Sequence, residues 1–167
     1  MIVRTERSED IEAIDCVVAS AFPTNAEARL VRALRTANHL RLSFVAEQEG
    51  EVAGHVAFSA VSLEPPHRSL SLLGLAPLAV SSGFQRQGIG SALVERGLEA
   101  CRNLKIDAVV VLGNPRFYGR FGFRPATEFG LSNEYGAGDG FMALELQMSC
   151  FTGVNALAKY STEFADL

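Results

Sequence analysis

The sequence has few cysteines, no long apolar run and no excess of positive charge. Cys16, Cys101 and Cys150 lie far apart and form no C-x-x-C pair, which argues against a disulfide framework and against a zinc site. The amino-terminal segment is charged within its first four residues and lacks the apolar stretch of about 7 to 15 residues that a signal peptide needs. No run reaches the roughly 18 apolar residues that span a bilayer. These absences predict a protein of the reducing cytoplasm.

The charge balance excludes a further group of partners. A formal net charge of -4 and a pI near 5.4 give no global attraction for nucleic acid or for an anionic membrane, so any anionic ligand must be held by local groups. With 167 residues, of which 48% are hydrophobic and 20% charged, the chain has the size and composition of one globular domain. We expect a single domain over residues 1–167, without a bound metal.

Two helices are predicted near the amino terminus. Ser8, followed by two acidic residues, has the pattern of an N-cap for a helix over about 9–21. Thr24 and Glu27 have the spacing of a capping box for a second helix that ends near residue 37.

The middle and the end of the chain predict strands around one long helix. A hairpin turns at Glu49-Gly50, strands are expected over 70–81 and 107–113, and the helix between them covers about 88–104. Pro77 removes one donor from the strand ladder, so the sheet is expected to open there. Residues 131–140 are predicted to be a loop, and "FMALELQ", residues 141–147, is predicted to be the last strand.

The stretch "FQRQGIGSAL" places Gly88 and Gly90 between a strand and a helix. Unpaired backbone N–H groups and the positive end of a helix dipole meet at such a turn, and together they bind phosphate. A tight turn without a ligand is the alternative. The segment is not a Walker loop, because no Lys followed by Ser or Thr comes after the glycines, and Leu93 stands where a dinucleotide fingerprint needs its third glycine.

The pattern Gln85-x-x-Gly88-x-Gly90, followed by Tyr118-x-x-x-Gly122-Phe123, resembles the GNAT superfamily of acetyl-CoA-dependent N-acetyltransferases. The resemblance extends from residue 1 to about 148, with 149–167 as a C-terminal extension. It implies a mixed α/β fold with a mostly antiparallel sheet whose fourth and fifth strands splay apart, flanked by helices. It also implies acetyl-CoA as acyl donor. By position, the pyrophosphate would be held by Gln85, Arg86, Gln87, Gly88, Ile89, Gly90 and Ser91, and the pantetheine arm by Leu78, Ala79 and Val80.

Acetyl transfer needs an acid for the departing thiolate and a base for the amine. By resemblance Tyr118 is the general acid, although it also fits an aromatic cluster with neighbouring phenylalanines. Asn114 is a coenzyme contact by resemblance, or a turn former before Pro115. Glu27 is a candidate base, but its capping position offers a structural role that we favour. His55 fits a core or sheet-face residue better than a base, and water is the remaining candidate to carry the proton.

The resemblance predicts transfer of acetyl from acetyl-CoA to a primary amine, on a small molecule or on a peptide or protein, by direct attack in a ternary complex. The alternatives are a non-catalytic acetyl-CoA sensor or partner-binding module, and transfer of a longer acyl chain. Contacts to the acceptor are expected from the first two helices, from the loop around Pro65 and Pro66, and from residues 131–140. The sequence identifies neither the acceptor nor the oligomeric state, and a homodimer stays open.

Overall fold

The computed structural model describes residues 1–67 and 70–167, which group by their contacts into two compact units. The first unit consists of Met1–Ser59, Ala76–Glu99 and Thr162–Leu167, and the second of Ala60–Leu75 and Ala100–Ser161. Four α-helices occur in the described residues: α1 (Ile11–Ala21), α2 (Ala26–Thr36), α3 (Ile89–Asn103) and α4 (Pro115–Tyr118). The strands are β1 (Ile2–Thr5), β2 (Leu40–Gln48), β3 (Glu51–Glu64), β4 (Leu72–Val80), β5 (Ala108–Leu112), β6 (Arg124–Pro125), β7 (Leu131–Asn133), β8 (Phe141–Glu145) and β9 (Ala156–Tyr160).

In the first unit, β1, β2 and the first part of β3 form an antiparallel ladder. The β2–β3 hairpin closes where Gln48 pairs with Glu51. Between them, Glu49 and Gly50 both have positive φ, at 54° and 81°. Two successive left-handed residues match the right-handed twist of the strands, which explains why a glycine stands second. The predicted hairpin is confirmed.

The core of the first unit lies between the helices and the sheet. One buried cluster joins residues of α1 and α2 to residues of β2 and β4, and its members are Ile14, Val17, Val18, Ala28, Val31, Val45 and Ala79. The residues from α1 and α2 recur at three- and four-residue intervals, so each helix turns one apolar stripe inward. Both predicted helices are confirmed, with ends within about two residues of the expectation.

The start of the first helix differs from the prediction, because Ser8 is not its N-cap. Ser8–Asp10 form a 3-10 turn, and α1 begins at Ile11. The carboxylate of Asp10 accepts a hydrogen bond from the backbone N–H of Arg7 at 2.7 Å and two more from the Arg4 guanidinium. Asp10 is buried, and an ionised carboxylate with three donors satisfies this turn better than a serine hydroxyl can.

In the second unit, the first part of β4 pairs with β5 in parallel, and β5 pairs with β8 antiparallel. The parallel ladder joins Leu72 through Gly74 to Ala108 through Val110, whereas β4 continues to Val80 and β5 stays paired with β8 to Leu112. Pro77 follows Gly74, the last residue of β4 that pairs with β5, by three positions, in agreement with its missing donor. The fold is the predicted mixed α/β class, with a mostly antiparallel sheet and a short parallel β4–β5 pair.

The carboxyl-terminal segment carries a strand that the sequence did not reveal. β9 pairs antiparallel with the last part of β3, Val61 opposite Tyr160, and parallel with β7, Leu131 opposite Ala156. Two expectations are therefore wrong: residues 131–133 are a strand and not loop, and the strand at Phe141–Glu145 is not the last one. Both errors have one cause, since β7 and β9 are short and become strands through pairing with segments that are distant in the chain.

In the part of the chain that the structure describes, no helix has the length and apolar character needed to cross a membrane.

Candidate active site

The loop between β4 and α3 has an unusual backbone conformation. Arg86 and Gly88 have positive φ, at 61° and 84°, with Gln87 between them. Left-handed residues that alternate in this way turn successive N–H groups toward one point, a concavity that binds anions. A side chain at Gly88 would meet no atom within 4 Å, so glycine is needed there for its backbone freedom and not for packing.

Helix α3 directs its amino-terminal end at the same point. Its first helical bond runs from Ala92 N–H to Gly88 C=O at 3.0 Å, so the amides of Ile89 and Gly90 precede the hydrogen-bonded ladder. Arg86 is exposed on the loop and adds a positive charge. Backbone donors, a helix dipole and a cation therefore occur together in this loop, a combination that suits a phosphate group.

The first turn of α3 is seated on the sheet by a glycine. A Cβ at Gly54 of β3 would lie 2.9 Å from side-chain atoms of both Ile89 and Leu93, and 3.1 Å from the carbonyl oxygen of Ala79. Any larger residue would lift the helix from the strands. Gly54 thus fixes the end of α3 relative to β4, a role that the sequence analysis missed.

Two glutamine side chains of the loop bind its own backbone. Gln85 Nε2 donates to the carbonyl of Val80 at 3.1 Å, and Gln87 Nε2 donates to that of Gly83 at 3.4 Å. These bonds tie the loop to the end of β4. The side chains of Gln85 and Gln87 therefore stabilise the loop itself. The donors that remain for a ligand are the backbone amides.

The last residues of β4 alternate between buried and half-buried side chains, as expected for a strand. Ala79 is buried in the core of the first unit, while Leu78 and Val80 are half-buried. Because successive side chains of a strand point to opposite faces, Leu78 and Val80 share the face that Ala79 does not use. The structure thus brings Leu78–Val80 and the 85–91 loop together in one unit.

Tyr118 ends α4 in the second unit, 8% exposed, with its ring against Gly113. It packs edge-on to Phe117 and Phe123, with ring centroids 4.9 and 5.7 Å apart. Burial raises the pKa of the Tyr118 phenol to about 12. The hydroxyl is therefore protonated at neutral pH. Tyr118 belongs to the expected aromatic cluster and still carries a proton that it can donate.

Asn114 caps α4. Its Oδ1 accepts a hydrogen bond from the backbone N–H of Arg116 at 2.9 Å, and Pro115 occupies the first helical position, where no N–H is needed. The turn-forming interpretation of Asn114 thus has a definite structural basis. Its role as a coenzyme contact stays a prediction.

Glu27 does not form the capping box that we favoured. Thr24 Oγ1 accepts from the backbone N–H of Ala26 at 3.2 Å, and no bond from Glu27 back to Thr24 exists in the described structure. The Oε2 atom of Glu27 is buried and lacks a hydrogen-bond partner among the described residues. The structural interpretation was wrong, and the carboxylate is left available for another task.

His55 is fully buried on β3, as a core histidine would be. Its Nε2 lies 2.8 Å from Ser43 Oγ, and that hydroxyl donates to Glu6, which also pairs with Arg35 at 3.0 Å. Because Ser43 has one proton and gives it to Glu6, the imidazole must donate from Nε2. Burial lowers the pKa of His55. The sequence analysis missed this network, whose members are far apart in the chain.

The described residues contain no group of three or more His, Cys, Asp or Glu side chains that could hold a metal ion.

Comparison with known proteins shows what this arrangement resembles. Residues 11–123 match the family model described as Acetyltransferase (GNAT) family. The N-acetyltransferase YhbS of Escherichia coli K12, described as uncharacterized, is 37% identical over 166 residues, which are 98% of each chain. A crystal structure of E. coli YhbS in complex with CoA superposes with a TM-score of 0.92 at 35% identity and covers 98% of this chain and 91% of that one. A GNAT acetyltransferase of Brucella melitensis in complex with acetyl-CoA gives 0.80 at 30% identity, over 98% and 97% of the two chains.

Proposed function

Because the chain belongs to the GNAT acetyltransferase family, we propose that it transfers acetyl from acetyl-CoA to a primary amine by direct attack in a ternary complex. The acceptor is a small molecule or a peptide or protein amine. The free state of all three cysteines fits the cytoplasm as the compartment of this reaction.

The donor is bound through its pyrophosphate at the loop before α3. The amides of Gly88, Ile89 and Gly90 supply the donors, and Arg86 adds a compensating charge. Leu78 and Val80 contact the pantetheine arm with their half-buried side chains. The backbone N–H and C=O groups of β4 past Gly74 pair with the amides of that arm. This loop, with its two left-handed residues at the start of a helix, is the observation that carries the proposal.

In the reaction, the amine nitrogen attacks the thioester carbonyl, a C–N bond forms and the C–S bond breaks. The thiolate takes its proton from the Tyr118 hydroxyl, whose raised pKa keeps that proton in place until the sulfur departs. The phenolate regains a proton from solvent after the product leaves.

The amine must lose a proton before or during attack. We assign this step to Glu27, directly or through water, because its buried Oε2 lacks a partner among the described residues. His55 is excluded as base, since its Nε2 is bound to Ser43 and its ring is fully buried. Asn114 caps α4 and, in this proposal, also contacts the coenzyme.

The test is calorimetric titration with acetyl-CoA, combined with release of free thiol in the presence of a panel of primary amines. The proposal expects binding, amine-dependent thiol release and an N-acetylated product seen by mass spectrometry. Binding without thiol release from any amine identifies a sensor and contradicts the proposal, as does absence of binding. Repeating the panel with longer acyl-CoA donors tests the acyl-chain preference.

A further inference from the structure

All three tyrosines of the chain, Tyr118, Tyr135 and Tyr160, fall in the second unit, although they are spread over 43 residues of sequence. Only Tyr118 has a part in the chemistry proposed above. Tyr135 lies in the segment that was predicted to be a loop, residues 131–140. Tyr160 lies in a segment for which no element was predicted. Their arrangement needs its own explanation.

Tyr160 and Tyr135 face each other. Their ring centroids lie 6.1 Å apart and the planes are tilted by 57°. Tyr160 is buried, with its ring laid on β4 at Gly74, where a Cβ would lie 2.5 Å from Cε1. Tyr135, in contrast, is 45% exposed, so part of this large aromatic side chain is accessible from solvent.

The loop that carries Tyr135 runs from the Tyr160 side to the Tyr118 side. At its start, Asn133 of β7 pairs with Ala158 of β9, two residues from Tyr160. At its end, Gly140 C=O accepts from the N–H of Gly113, the residue on which the Tyr118 ring lies. Tyr135 therefore lies in a loop that is bonded near Tyr160 at its start and beside the Tyr118 ring at its end.

The mutual effect of the phenols agrees with this placement. Burial raises the pKa of Tyr160, and the neighbouring hydroxyls of Tyr135 and Tyr118 raise it further. Each of these two effects requires the hydroxyl that causes it to lie near the hydroxyl of Tyr160. All three rings therefore present neutral, aromatic surface at neutral pH.

The charged neighbours of these rings are already paired. Lys159, next to Tyr160, lies 3.6 Å from Glu134, next to Tyr135, and 3.2 Å from Glu64. Two carboxylates share one lysine there, so this group disfavours a carboxylate on the acceptor. Aromatic faces, in contrast, bind flat apolar groups and attract an ammonium.

We propose that Tyr135 and Tyr160 form the acceptor wall beside Tyr118 and select a primary amine carried on a flat, apolar body, the class of arylalkylamines. This inference rests on the proposed acetyl transfer. The amino group of this acceptor reaches Tyr118, while its aromatic group stacks on the exposed ring of Tyr135. Tyr160 supports that ring from behind and acts as a positioning residue.

The test compares three acceptors, 2-phenylethylamine, spermidine and a short peptide with a free α-amine, in the thiol-release assay. We expect 2-phenylethylamine to have the highest kcat/KM. Tyr135→Ala should raise its KM on the order of 10-fold or more, and Tyr135→Phe should restore most of the loss, because stacking needs the ring and not the hydroxyl. Met148→Ala, which changes a 94% exposed apolar side chain of the same unit, is the control.

Failure of this inference differs from failure of the proposed function. If spermidine or the peptide is the better acceptor and Tyr135→Ala leaves all KM values unchanged, the acceptor wall is wrong while acetyl transfer stands. If no amine turns over, calorimetry of 2-phenylethylamine with the CoA-loaded protein decides: no binding, or equal binding by Tyr135→Ala, overturns the inference. Unchanged affinity for acetyl-CoA in both tyrosine variants shows that the donor site is intact.

Discussion

The ring of Tyr118 occupies the space that a side chain at Gly113 would fill. Gly113 directly follows β5, and its N–H donates to the carbonyl of Gly140, so the phenol packs against backbone that this bond holds in place. The general acid that we propose therefore depends on a residue that performs no chemistry itself.

Gly113→Ala should therefore impair acetyl transfer without touching a reactive group. The new Cβ overlaps the Tyr118 ring and must displace the hydroxyl, and a displacement of about 1 Å can cost on the order of 100-fold in rate. The matched control is Gly119→Ala, in the next turn, where a Cβ meets no atom within 4 Å and φ is -57°. Equal turnover by the two variants would contradict the role of Gly113.

Gly88→Ala should weaken acetyl-CoA binding by much more than it weakens the fold. Alanine at φ 84° costs about 1 kcal/mol, and a loop that relaxes to relieve it misdirects its amides. Loss of one charge-assisted bond reduces affinity on the order of 10- to 100-fold. Gly50→Ala is a matched control, because Gly50 has φ 81° and equally open space, but lies in the hairpin turn.

The comparison of these two glycines uses urea unfolding and calorimetry. Both variants should lose similar stability, and only Gly88→Ala should lose affinity for acetyl-CoA. Loss of affinity in both variants would mean that destabilisation alone explains the effect.

Glu27→Gln should lower kcat on the order of 100-fold, since the amide cannot accept the proton of the amine. Thr24→Ala is the comparison variant: it removes the hydrogen bond from Ala26 N–H and costs about 1 kcal/mol of stability, with kcat preserved. A kcat of Glu27→Gln that matches that of the parent enzyme would transfer the base role to water.

The buried network of the first unit should make the protein acid-sensitive. Burial lowers the pKa of His55 below its ordinary 6.5, so the unfolded chain binds a proton that the folded chain excludes. Stability is then fully present above pH 6.5 and falls below it, by about 1.4 kcal/mol per pH unit for one proton. Although burial opposes it, the His55 ring, Arg35 and Ser43 lower the pKa of Glu6 to about 2, so a second loss begins below pH 4.5.

Urea unfolding between pH 8 and pH 5 measures this dependence. His55→Gln, which cannot titrate, should be less stable than the parent protein at pH 8 but should show a flatter slope below pH 6.5. A parallel slope in the two proteins would show that other groups cause the acid sensitivity.

Local features of the sequence were enough to predict the glycine loop before α3 and the β2–β3 hairpin. Gly50 and Gly88 both stand where the backbone has a positive φ, a conformation that glycine adopts easily. Such turns are determined by a few neighbouring residues, so they can be predicted from the local sequence. The buried strand β5 and helix α3 are also specified locally, by a run of β-branched residues and by an apolar stripe. These elements were predicted with their ends nearly correct.

Features that depend on distant pairing were not predictable from the sequence. β9 is a strand because β3 supplies its partner almost 100 residues away, and the Glu6–His55 network joins residues from three elements. The cap at Ser8 failed for a similar reason, since Arg4 and Asp10 form an ion pair that no capping pattern contains. At Glu27 the expected spacing was present, but the carboxylate makes no bond to Thr24.

The most direct test of acetyl transfer is a single-turnover measurement with the parent protein and Tyr118→Phe, at saturating acetyl-CoA and a good primary amine. Phenylalanine reproduces the packing against Phe117 and Phe123 but has no proton to give. We predict rapid formation of the N-acetylated amine by the parent, a chemical step about 10²- to 10⁴-fold slower in Tyr118→Phe, and equal affinity of both for acetyl-CoA. A rate within twofold of the parent would remove Tyr118 from the mechanism, and absence of product from the parent would contradict acetyl transfer itself.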